Sequence, residues 1–78
     1  MTRRVAVSIR PTPCGLGTIV KCYGIEVAFI QGDYDDLNKS KLRNYIREAF
    51  GYYRKEDVVD CFIYAGIMRF NHDDFARR

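Results

Sequence analysis

A chain of 78 residues, 47% hydrophobic and 29% charged, is too apolar to stay disordered. At that length folding buries only about 60% of the unfolded surface, which leaves little material for a deep catalytic cleft. The formal net charge of +3 comes from interleaved acids and bases, whereas a dedicated nucleic-acid binder is usually more basic.

Six Tyr and five Phe, with no Trp, exceed what so small a core accommodates, so some are expected on a surface that binds a partner. Apolar runs fall well short of the roughly 18 residues of a membrane span. The basic start Met1, Thr2, Arg3, Arg4 is followed by only five residues before Arg10 and Pro11, so no signal peptide is expected. A cytoplasmic protein, one domain over residues 1–78 and away from membranes, is the resulting expectation.

Val5, Val7 and Ile9 alternate with Ala6, Ser8 and Arg10, which predicts a half-buried strand over residues 4–10. Two prolines and two glycines make residues 11–17 a loop. Tyr23-Gly24 then reads as a two-residue turn between strands, pairing Cys22 with Ile25, Lys21 with Glu26, Val20 with Val27, Ile19 with Ala28 and Thr18 with Phe29. The acidic stretch Asp33, Asp35, Asp36 supplies caps and negative charge to a helix start. Leu42, Tyr45, Ile46, Ala49, Phe50 and Tyr53 form one helical stripe, with Gly51, Arg54 and Lys55 marking its end. Residues 57–64 alternate again, and Ala65-Gly66 reads as a second tight turn that pairs Ile63 with Met68, Cys61 with Phe70 and Phe62 with Arg69. The tail from residue 71 is polar and expected to fray or turn. No internal repeat is evident.

The order β-β-β-α-β-β gives an α+β fold: a five-stranded, mostly antiparallel sheet with one amphipathic helix on one face. A single helix leaves the other face open, and that face is expected to carry Ile19, Ile30, Phe62, Tyr64 and Ile67 beside Arg69, an apolar surface suited to a partner or to a homodimer.

Chemistry is sparse by comparison. Cys14 in its loop and His72, the only imidazole, would form a nucleophile pair only if loop and tail met, with Asp73 or Asp74 as orienting acid. Cys14, Cys22, Cys61 and His72 match a Cys3His zinc set by count, but no close C-x2-C pair exists, so neither metal nor cofactor is expected. Cys22 and Cys61 read as reduced core residues. Lys39, Arg43 and Arg47 recur at i, i+4, i+8 as a basic helix face able to meet phosphates.

In size and composition, though in no motif, the chain resembles the small cytosolic inhibitors that phages and mobile elements direct against host machinery, anti-CRISPR proteins among them. That resemblance implies a non-catalytic protein that sterically occludes a host nucleic-acid-binding complex, with Asp33, Asp35 and Asp36 imitating phosphates. The alternative is a small nucleic-acid-binding or regulatory protein using Lys39, Arg43 and Arg47.

Overall fold

The turn at Tyr23 and Gly24 sets the register of the sheet. In the computed structural model, which describes residues 5–51 and 54–77, both turn residues have positive φ, 52° and 81°, as a two-residue hairpin turn of this hand requires. The turn joins β2 (Gly17–Cys22) to β3 (Ile25–Gln31), and Cys22 pairs with Ile25 and Lys21 with Glu26, as the sequence predicts. Beyond Lys21 the register shifts: Val20 faces Ala28, Ile19 faces Phe29 and Thr18 faces Ile30. An extra residue at Val27 makes this a β-bulge, which leaves Val27 and Ala28 both buried and reverses the phase of everything after them. Ile30 therefore points into the core and Phe29 points out, opposite to the strict alternation expected from sequence.

β1 (Val7–Pro11) pairs antiparallel with β2, and a short β4 (Met68–Phe70) pairs parallel with β3, giving a four-stranded mixed sheet in the order β1-β2-β3-β4. The α+β class holds, but among the described residues there are four strands and two α-helices in place of five strands and one helix.

Helix α1 (Lys39–Phe50) begins at Asn38, whose side-chain oxygen accepts the Lys41 N–H at 3.1 Å, and stops at Gly51. Leu42 and Ile46 are its buried residues, one turn apart as the apolar stripe demands, whereas Tyr45 and Ala49 are exposed. Tyr53, the last position of the expected stripe, lies outside the described residues.

The segment expected as a fourth strand is instead helix α2 (Lys55–Ala65). Asp60 alone interrupts apolar residues 58–65, so alternation there carries no phase, while Val58 and Phe62 lie four apart and fall on one helical face. Glu56 and Asp57 in the first turn favour the positive end of the helix dipole. Gly66 takes φ 80° and donates to the Phe62 carbonyl at 2.9 Å, so it caps a helix where a hairpin was expected. Cys61 and Ile63, expected in the core, are exposed.

Leu42, Ile46, Val58 and Phe62 join Val5, Val20, Cys22, Val27, Ala28, Ile30 and Leu37 in one buried cluster, so both helices cover the same sheet face. In the described part of the tail the turn, one of the two outcomes expected, is what forms. Residues His72–Phe75 form a 3-10 turn whose Phe75 is buried, and Tyr45, Phe70 and Phe75 meet edge to face with ring centroids 5.4 to 5.7 Å apart.

Candidate functional site

The residues expected on one open face are dispersed. Ile30 and Phe62 belong to the core, at 0% and 4% exposure, because the bulge inverts the first and helical winding turns the second inward. Ile63 at 67% and Tyr64 at 96%, in the last turn of α2, and Ile67 at 52%, just past its Gly66 cap, are exposed. Only Ile19 and Arg69 stay together on the outer sheet face, one strand either side of Phe29.

That outer face has its own order. Arg10 pairs with Ile19, Ile19 with Phe29 and Phe29 with Arg69, so one row crosses all four strands. The next row sets Ser8 opposite Lys21 and Lys21 opposite Glu26. The Phe29 ring leans across Gly17, where a Cβ would come within 2.8 Å of it, and the Arg69 guanidinium lies 5.9 Å from the ring centroid. Sequence reasoning missed Phe29 because its facing depends on a β2–β3 register that a single bulge changes, and missed Arg10 because no β1–β2 register was read that would set it opposite Ile19.

A second cluster is acidic. Asp33 accepts the Asp35 N–H at 3.0 Å and Asn71 accepts the Asp73 N–H at 3.1 Å, so each starts a 3-10 turn, Tyr34–Asp36 and His72–Phe75. The two turns read alike in sequence, Asp33-Tyr34-Asp35-Asp36-Leu37 and Asn71-His72-Asp73-Asp74-Phe75, each closing on a buried apolar residue. This five-residue likeness, shorter than any structural repeat, is the signal that would have placed a second acidic turn in the tail. An antiparallel bridge between Leu37 and Ala76 binds them side by side, with Asn38 donating to the Phe75 carbonyl at 2.6 Å and Arg77 to the Asp36 carbonyl at 2.8 Å. His72 rests on Gly32, whose φ of 134° and closeness to the imidazole leave no place for a Cβ, and its Nε2 is 3.3 Å from the Asp33 carbonyl.

Asp33, Asp35, Asp36, Asp73 and Asp74 are all exposed, on the two turns that the Leu37–Ala76 bridge holds side by side. Lys41 and Arg77 border the adjoining cleft, while Lys39 is drawn over the Tyr34 ring, 4.1 Å from its centroid. Among the described residues no three His, Cys, Asp or Glu side chains converge as a metal site requires.

The basic helix face is partly occupied. Besides Lys39 on Tyr34, Arg47 donates through Nε to the Val5 carbonyl at 3.5 Å, and Arg43 and Arg47 are both half-buried.

Cys14 is exposed, and hydrogen bonds from the Thr12 hydroxyl, 3.4 Å away, and the Leu16 amide hold its thiol below the ordinary value. Burial pushes the Cys22 thiol the other way, up to about 11. His72 and Cys14 direct their hydrogen bonds to different partners. Because the thiolate is the reactive form, the rate of Cys14 modification by a disulfide reagent should reach half-maximum at lower pH than for a simple thiol. Thr12→Val should move that midpoint upward, and Cys22 should react only on unfolding. A midpoint that ignores Thr12 would assign the effect elsewhere.

No family model, no curated protein and no solved structure matches this chain.

Proposed function

We propose that the chain is a non-catalytic, cytoplasmic binding protein of the phage-inhibitor kind, which presses its acidic end into the basic groove of a nucleic-acid-binding complex and occludes it. The observation that supports this reading is the Leu37–Ala76 bridge, which joins two Asx-capped acidic turns into a surface of five exposed aspartates. Fixed carboxylates on capped turns resemble a phosphate row in charge and cost little ordering on binding. Self-association, expected through Ile19, Phe62, Tyr64 and Ile67, is retained in the proposal for Tyr64 and Ile67 alone, which with Ile63 are exposed at and just beyond the C-terminal end of α2.

The test is biological. Expressed in bacteria whose CRISPR interference blocks a phage, the protein should restore plaque formation. The variant with Asp33, Asp35, Asp36, Asp73 and Asp74 all replaced by Asn should lose that effect while melting as a folded protein. Absence of protection across the interference systems tried, or protection undiminished in the Asn variant, contradicts the acidic-end mechanism.

A further inference from the structure

We propose that the outer face of the sheet binds single-stranded nucleic acid, with Phe29 as the stacking platform and Arg10, Lys21 and Arg69 as the phosphate contacts. This goes beyond the acidic-end reading and uses the opposite charge on different elements. The row Arg10, Ile19, Phe29, Arg69 runs straight across four paired strands, so its terminal arginines stand about 14 Å apart at the ordinary inter-strand spacing. Both helices pack on the other face, and among the described residues Ile19 and Phe29 are only half-buried.

Charge complementarity selects the occupant. Arg10, Lys21 and Arg69 are exposed, against Glu26 as the one carboxylate in the same two rows. An apolar centre between cations fits a ligand that is flat and apolar in the middle and anionic along its backbone, which describes an unpaired base on its sugar-phosphate chain. Duplex is disfavoured, because a sheet face offers no helix or ribbon to enter a groove and paired bases hide the surfaces that would stack. Gly17 matters here: its missing Cβ lets the Phe29 ring lie down on the strand, which fixes the platform before any ligand arrives.

Anisotropy titrations of fluorescein-labelled oligo-dT and oligo-U of about 12 nucleotides, within the site sizes such surfaces occupy, test the proposal. Wild-type protein should bind both, with log affinity falling against log salt at a slope of about −2 for three phosphate contacts. Phe29→Ala should weaken binding roughly tenfold to a hundredfold and Phe29→Tyr should restore it. Since Phe29 is partly packed, the exposed pair Arg10→Gln/Arg69→Gln provides a second variant; it should melt like wild type and flatten the slope to about −0.7. The Asn variant of the five aspartates should bind the oligonucleotides undiminished, so failure of the sheet face and failure of the acidic end are read separately. No binding at low salt, an unchanged slope in the arginine pair, equal affinity for duplex, or tighter binding of an oligo-glutamate peptide would each overturn the proposal.

Discussion

Ile46→Ala should lower the stability of this protein by about 2 to 5 kcal/mol, read as the shift of a chemical denaturation curve. Ile46 is fully buried in the cluster that binds α1 to the sheet, and truncation removes its transfer free energy and leaves a cavity the neighbours close only in part. A domain of this size holds about 5 to 15 kcal/mol in total, so the variant should melt at least about 10 °C lower. An unchanged melting temperature would mean that α1 presents another face to the sheet.

Phe62 should be equally critical. Its ring lies 4.5 Å from that of Phe50, centroid to centroid, and ties α2 to the end of α1. Phe62→Ala should cost about 3 to 5 kcal/mol, and Phe62→Glu should leave little folded protein because a carboxylate at 4% exposure would be buried without a partner. Ile63→Glu and Tyr64→Glu, at the adjoining exposed positions, should stay within about 0.5 kcal/mol of wild type. Had residues 57–64 been a strand with Phe62 on an open face, Phe62→Glu would be tolerated and Ile63→Glu would not, so the pair of substitutions separates the two structures by urea melts alone.

These two residues mark what the sequence makes legible. Ile46 belongs to a stripe with strong 3.6-residue periodicity ended by a glycine, and the helix and the buried pair Leu42 and Ile46 follow from that pattern, whereas Tyr45 and Ala49 of the same stripe are exposed. Phe62 sits in an almost uniformly apolar run, where helix and strand predict the same residues in different directions and only tertiary packing decides. The hairpin turn is legible because Gly24 and a tolerated positive φ at Tyr23 suit its type, but the bulge at Val27 is not, since Val27, Ala28, Phe29 and Ile30 are all apolar and any phase looks acceptable. That single residue exchanges Ile30 for Phe29 on the outer face, and with it the character of the candidate site changes from an apolar patch to an aromatic flanked by arginines. The acidic surface is half legible: Asp33, Asp35 and Asp36 stand out locally, but their union with Asp73 and Asp74 depends on a bridge between residues 39 positions apart.

Two surfaces of opposite charge are carried by different elements of one small fold. Amide chemical-shift mapping of the 15N-labelled protein, titrated in parallel with oligo-dT and with a cationic oligo-lysine peptide, tests this most directly. Oligo-dT should move the amides of Arg10, Ile19, Phe29 and Arg69 while oligo-lysine moves those of residues 33–36 and 71–74. Overlapping shifts from both ligands, or oligo-dT shifts confined to the face of α1 that carries Lys39, Arg43 and Arg47, would contradict it.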